Sequence, residues 1–143
     1  MKVSTRGRYA LRVMIDLAEH ISDGFVPLKD IAERQEISQK YLESITKELS
    51  NSALIISQHG KGGGYKLSKS PDDYTILEIL SVVEGDMAPI SCLSKGNNVV
   101  CNRANVCKSL VMWQGLYKTI TDYLDNITLA SLAQGKDIPN WVI

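Results

Sequence analysis

The stretch LKDIAERQEISQKYLESITKELSNS runs straight into ALIISQHGKGGGYKLSK, and there the apolar period changes from helical to alternating. No other part of the chain constrains the fold as strongly. Leu28, Ile31 and Ala32 predict a short helix, Glu36 and Ile37 a tight turn, and Ser38 the cap of a longer helix buried through Leu42, Ile45 and Leu49. Two short helices across a tight turn, the second with a polar face of Gln39, Lys40, Glu43, Ser44 and Lys47, have helix-turn-helix organisation. Leu54 and Ile56 then alternate, as do Tyr65 and Leu67, on either side of HGKGGG, which predicts a β-hairpin with a basic, Gly-rich tip. A helix-turn-helix followed by such a hairpin is the winged-helix arrangement. Its second helix suits a DNA major groove, and its tip suits the adjoining backbone or minor groove. GKGGG is not a phosphate-binding P-loop, because no Ser or Thr follows the Lys and Tyr65 stands where a helix would have to start.

The rest of the chain reads as support for that unit. Ser4 caps a helix to about His20, with Leu11, Met14, Ile15 and Ala18 as its buried stripe. Thr75-Ile-Leu-Glu78 is a capping-box pattern that opens a helix to about Glu84, closed by Gly85. Val106, Leu110, Trp113, Tyr117, Ile120, Leu124 and Ile127 alternate steps of four and three, a coiled-coil seam over three heptads that Met112, Leu116 and Tyr123 widen. So much apolar surface on one long helix predicts a dimerisation helix; packing within its own chain is the alternative. The tail TLASLAQGKDIPNWVI predicts a short helix and then a mobile end. The fold class expected is mostly α with a small β-hairpin wing. Residues 1–86 form the winged helix-turn-helix and its connecting helix, 87–106 a cysteine loop, and 107–143 the dimerisation helix and tail.

Charge and cysteines narrow the chemistry. The net charge is zero over 143 residues, yet residues 1–70 carry 11 Lys and Arg against 8 Asp and Glu, and residues 71–143 carry 5 against 8. The basic half is expected to meet a polyanion. Every apolar run near the N-terminus is broken by Arg, Asp or Glu and no span is long enough for a bilayer, so a cytoplasmic location and no membrane partner are expected. The 3 cysteines all fall in CLSKGNNVVCNRANVC, Cys92 to Cys107. An odd count in a reducing compartment argues against a disulfide framework and for metal or redox chemistry. Soft thiolates suit an iron-sulfur cluster; a zinc site usually includes a CxxC knuckle, which is missing here; and Lys95, Arg103 and Lys108 would lower thiol pKa values in a metal-free redox sensor. With 2 histidines, no HxxE or GxSxG arrangement and no His beside the thiols in sequence, an enzyme is not expected.

MKVSTRGRYALRVMIDLA, DIAERQEISQKYLESI, GKGGGYKLSKSPDDYTILEILSVVEG and LDNITLASLAQ together resemble the IscR/NsrR/CymR superfamily of bacterial winged-helix transcription regulators, over Met1 to about Gln134. The GRYAL start, the SxxYLE of the second helix and the GGGY of the wing are the most specific matches, with the three cysteines followed by Trp and ITL. The resemblance implies a homodimer that crosses long helices through Leu110, Trp113, Tyr117, Ile120, Leu124 and Ile127 and binds a partly palindromic operator in double-stranded DNA. It implies DNA contacts at Arg6, Arg8, Ser38, Gln39, Lys40, Glu43, Ser44, Lys47, His59 and Lys61. It also implies an iron-sulfur cluster on Cys92, Cys101 and Cys107, of the 2Fe-2S type ahead of the 4Fe-4S type.

The chain departs from the family in three places. His59 stands where many members have Arg before the wing glycines, which predicts weaker or pH-dependent readout there. The spacing C-x8-C-x5-C lengthens the first interval. The fourth ligand of relatives is a His where this chain has Leu110, or an Asp where it has Arg8, so a fourth ligand would have to be Asp86, Asn105, a partner chain's Asp16 or His20, or a small thiol. The function expected is a sequence-specific DNA-binding regulator, a repressor, whose operator binding responds to the cluster. The alternative is a cluster-free regulator that senses redox state or nitric oxide through its thiols, or that binds a metabolic enzyme as protein partner.

Overall fold

The computed structural model describes residues 2–96 and 101–136. The expected mobile end, from residue 137, and residues 97–100 of the cysteine loop lie outside the described residues.

Helix α1 (Thr5–Glu19) starts where Ser4 Oγ accepts from the Gly7 amide at 3.0 Å. Its buried face is Ala10, Val13, Met14 and Leu17. Leu11, Ile15 and Ala18, expected in the stripe, flank that face half-buried, so the stripe is corrected by rotation toward the neighbouring helices. A Cβ at Gly7 would displace the Glu84 carboxylate, which accepts from the Ser4 amide at 3.0 Å.

Helices α2 (Leu28–Gln35) and α3 (Gln39–Asn51) form the helix-turn-helix. The turn is a Schellman motif: the Ile37 amide reaches back to Ala32 at 3.1 Å, and Glu36 takes the left-handed conformation at φ 53°. Ile31, Ile37, Leu42, Ile45 and Leu49 are buried beneath it. A second motif of the same kind ends α3, with Ala53 at φ 58° and the Leu54 amide on the Leu49 carbonyl at 3.0 Å. This corrects the alternation read at Leu54 and Ile56. Leu54 belongs to the helix end, and the inward residue of strand β1 (Ile55–Gln58) is Ile55, which opposes buried Leu67 of β2 (Gly64–Leu67) while Ile56 faces outward. Strand β2 is pinned near the hairpin tip by reciprocal Val26 and Tyr65 amide-carbonyl bonds of 2.8 Å. A side chain at Gly64 would strike the Val26 carbonyl.

Helix α4 (Ile76–Glu84) is capped by Thr75, whose Oγ1 accepts from the Glu78 amide at 3.1 Å. Only half of the capping box forms, because the Glu78 carboxylate pairs with Lys69 at 2.9 Å. Helix α5 (Leu110–Asp125) is shorter than the three-heptad seam predicts: Val106 lies before it in a 3-10 turn and Ile127 beyond it. The chain then runs beside the start of α4, with the Ile76 amide on Ile127 at 2.9 Å and the Leu129 amide on Tyr74 at 3.0 Å. Helix α6 (Leu129–Ala133) therefore returns to α1 and buries Leu129 completely in the N-terminal core.

Candidate nucleic-acid interface and cysteine loop

Ser38, Gln39, Lys40, Glu43, Ser44 and Lys47 are all exposed along one side of α3, since the other side carries Leu42, Ile45, Thr46 and Leu49 into the core. Ser38 is partly engaged, its Oγ capping the helix at the Tyr41 amide (3.3 Å). His59 and Lys61 are exposed on the wing tip. Between α3 and the wing lies a cleft lined by Glu43, Lys47, Asn51, Ser57, His59 and Tyr65.

 The volume of that cleft is about 330 Å³, and its polar walls come from both elements expected at DNA. Asn51, Ser57 and Tyr65 were missed by the sequence reading. The signal available for Asn51 was the continuation of the α3 polar face from Glu43 and Lys47 at helical spacing.

The basic residues divide into two groups. Arg6 is held by Glu48 at 2.6 Å and by the Ser44 carbonyl at 3.2 Å, so it fixes α3 against the start of α1. Arg12 is held by Gln35, Lys66 lies over the Phe25 ring at 4.6 Å, and Lys69 is paired with Glu78. Arg8, Lys40, Lys47 and Lys61 are exposed and make no ion pair among the described residues. The positive surface presented outward is thus smaller than the residue count suggests. Asp16 is 1% exposed and receives Arg34 at 2.6 Å and Gln35 at 3.0 Å, which locks α1 to α2. That carboxylate is engaged inside its own chain, and so is the His20 ring, whose Nδ1 lies 2.8 Å from the Asp16 carbonyl.

The cysteine loop leaves α4 at Gly85 and enters α5 after Cys107. All three cysteines are free thiols, Cys92 exposed and the other two half-buried. The Cys101 thiol as hydrogen-bond partner, then burial, then charge on Cys101 and Cys107, push the Cys92 thiol above its ordinary value. Cys107 goes the other way. The Ser109 hydroxyl, 3.4 Å from its sulfur, and the Ser109 and Leu110 amides at the start of α5 stabilise the thiolate and hold it below the ordinary value. Soft thiol donors fit a thiolate-bound group in their chemistry. Their present arrangement is open: among the described residues no three His, Cys, Asp or Glu side chains are gathered as a metal site. Asp86 is engaged elsewhere, accepting from the Ala88 amide (2.9 Å), the Lys95 amide (2.6 Å) and the Tyr117 hydroxyl (2.9 Å).

The predicted interface residues occupy different parts of α5. Tyr117 faces Asp86, and Leu124 and Ile127 pack against the chain's own core. Leu110, Trp113 and Ile120 are half-buried, whereas Val111, Met112 and Tyr123 are 75%, 54% and 44% exposed. The open apolar side therefore lies at Val111, outside the expected seam, and at Met112 and Tyr123, which the sequence predicts to widen it. Beside it, Val3, Leu80, Met87, Ile120, Tyr123 and Leu124 line an apolar groove of about 520 Å³. Among the described residues no helix is long and apolar enough to cross a membrane.

The pattern of the Rrf2 family, described as iron-dependent transcriptional regulators, matches residues 3–135. The HTH-type transcriptional regulator IscR of Erwinia tasmaniensis is 38% identical over 138 residues, 96% of this chain and 82% of that protein. The solved structure of CymR (YrzC), the global cysteine regulator of B. subtilis, has a TM-score of 0.77 and 34% identity, covering 96% of this chain and 99% of that one. IscR of T. potens has a TM-score of 0.71 and 32% identity, covering 100% of this chain and 93% of that one. These relatives are transcriptional regulators rather than enzymes, and with the winged helix-turn-helix described above they show that the chain belongs to the Rrf2 family of transcriptional regulators.

Proposed function

We propose that the chain is a homodimeric repressor that binds a partly palindromic operator and changes its affinity with the state of an iron-sulfur cluster held by Cys92, Cys101 and Cys107. The observation that carries this reading is the placement of all three cysteines, as free thiols, in the loop that joins the DNA-binding body to α5. Arg8, Ser38, Gln39, Lys40, Glu43, Ser44, Lys47, His59 and Lys61 would contact DNA, with Arg6 holding α3 in place. The open side of α5 would meet a second copy, and the separation of the two α3 helices would set the half-site spacing. The cluster would supply charge and thiolate ordering to the loop, and so a difference in free energy between two arrangements of α5.

Anaerobic purification, a visible spectrum and iron and sulfide analysis test the cofactor. A protein that stays colourless after reconstitution sinks the cluster reading. Operator affinity is then compared among cluster-loaded, cluster-free and Cys-to-Ala proteins at fixed salt; equal affinities would show that no coupling exists. A second reading, thiol sensing without a cluster, is favoured by the low-lying Cys107 thiol and by the engagement of Asp86 and Asp16, two of the candidate fourth ligands, within their own chain. Reversible loss of DNA binding on mild peroxide treatment of iron-free protein would support it.

A further inference from the structure

Asp86 was a candidate ligand in sequence, and its contacts give it another role. Oδ1 accepts from the Ala88 amide and the Tyr117 hydroxyl, both at 2.9 Å, and Oδ2 accepts from the Lys95 amide at 2.6 Å. One carboxylate thus closes residues 86–95 into a ring and ties that ring to α5. Cys92 lies inside the ring, in a 3-10 turn over Ser91–Leu93. Helix α5 is otherwise fixed at its far end, where Ile127 and Leu129 bond to Ile76 and Tyr74 at 2.9 and 3.0 Å. Next to the ring is a cavity of about 580 Å³ lined by Leu77, Ser81, Asp86, Lys95, Tyr117 and Thr121, which gives the ring space to move.

We infer that Asp86 is a positioning residue of the sensor: it sets the place of Cys92 relative to the other two thiols and passes displacement of the loop to α5 through Tyr117. A group held by all three thiols would constrain Cys92 and, through it, the 86–95 ring. With Asp86 in place the ring cannot follow without moving Tyr117, and α5 then pivots about its fixed end. Removal from water pushes the Asp86 carboxyl up, but the bonds from Tyr117, Lys95, Ser94 and Ala88 outweigh it and hold the group below the ordinary carboxylate value. The latch is therefore charged at neutral pH, present above the ordinary Asp range and lost only as acid protonates it.

The inference rests on the proposed function for its biological meaning, and its test does not need the cluster. The probes are iodoacetamide alkylation of Cys92 in the reduced, metal-free full chain, and hydrogen exchange of α5 with and without Cd²⁺, a thiolate-binding ion. Asp86→Asn keeps the shape and one acceptor oxygen but turns its NH2 toward the donors of the other; Cys92 is exposed already, so the expected rise in its alkylation, about tenfold, comes from release of its thiol from Cys101. Tyr117→Phe removes only the hydroxyl at a half-buried site. In that variant Cd²⁺ should still bind, while the change in α5 exchange that it causes in the unmodified chain disappears. An Asp86→Asn rate within about twofold of the unmodified chain, or an α5 response to Cd²⁺ that survives in Tyr117→Phe, would overturn the inference. A chain that fails to bind Cd²⁺ counts against the metal reading alone, since the metal-free alkylation rates still decide the role of Asp86.

Discussion

Replacing Tyr74 by Phe removes one oxygen from the interior and is expected to cost about 2 kcal/mol. Tyr74 is completely buried, and its hydroxyl joins two segments of backbone. It donates to the Leu54 carbonyl at 2.6 Å and accepts from the Ser68 and Lys69 amides at 2.9 and 3.1 Å. Leu54 keeps a donor in the substituted protein, because the Ser68 hydroxyl also reaches its carbonyl at 3.1 Å. The Lys69 amide loses its acceptor, and the Ser68 amide keeps only a longer bond to the Leu54 carbonyl at 3.4 Å. An amide left without a partner costs about 1–3 kcal/mol; the weakened Ser68 bond adds to this and water reaching exposed Lys69 recovers part of it, so the sum falls near 2 kcal/mol. The ring remains, so no cavity term is added. For a chain of this size that loss corresponds to roughly 6 °C in Tm. The assay is urea unfolding followed by far-UV circular dichroism at fixed protomer concentration, since association would make stability depend on concentration. The midpoint should fall with an unchanged slope. A loss below about 0.5 kcal/mol would refute the reasoning, because it would assign the stabilisation to the buried ring and none to the hydroxyl.

Four further outcomes are expected. Glu36→Gly places glycine at a left-handed position and should raise stability by about 1 kcal/mol in the same urea assay. In metal-free protein Cys107 should be alkylated before the more exposed Cys92 and at lower pH, as its thiolate forms below the ordinary value; Ser109→Ala should slow Cys107, and mass spectrometry of the labelled peptides reads both. Lys47→Gln should weaken binding to every operator sequence alike and flatten the salt dependence by about one unit of slope per protomer, measured by fluorescence anisotropy. Met112→Glu with Tyr123→Glu charges the open side of α5 and should give a monomer in sedimentation equilibrium, with far-UV spectrum retained.

The sequence made local structure legible wherever a local signal decides it. Ser38 and Thr75 cap their helices as their residue types require, and Gly85 ends α4 at a positive φ. Leu42, Ile45 and Leu49 are buried as their spacing predicts. Where a non-glycine residue takes the left-handed conformation, composition gives no warning: Ala53 at φ 58° turned the chain one residue away from the alternation read at Leu54 and Ile56. Charge was misleading for a related reason, since a Lys or Arg in the sequence shows no partner. Arg6, Lys66 and Lys69 belong to intramolecular contacts that only the fold brings together. The clustering of the cysteines was legible, but the opposite shifts of Cys92 and Cys107 depend on Cys101 and on the start of α5, which spacing alone does not place.

Helix α5 shows why period and partner are separate questions. Its apolar period is the most regular in the chain, yet none of its residues is buried, and its principal packing is against α4. A regular stripe states that a face will be covered and leaves open by what. Here one edge of the stripe is covered by the chain itself, through Leu124, Ile127 and the Tyr117 contact to Asp86, while Val111, Met112 and Tyr123 stay open. The α6 segment, by contrast, buries Leu129 beside α1, which is worth about 2 kcal/mol or more of apolar burial and ties the end of α5 to the DNA-binding body. An element held firmly at one end, lightly in the middle and joined to the cysteine loop at the other has low local stability along its free length. A change in the loop can therefore move α5 without unfolding the winged helix, and that mechanical difference is what the proposed sensing role would require.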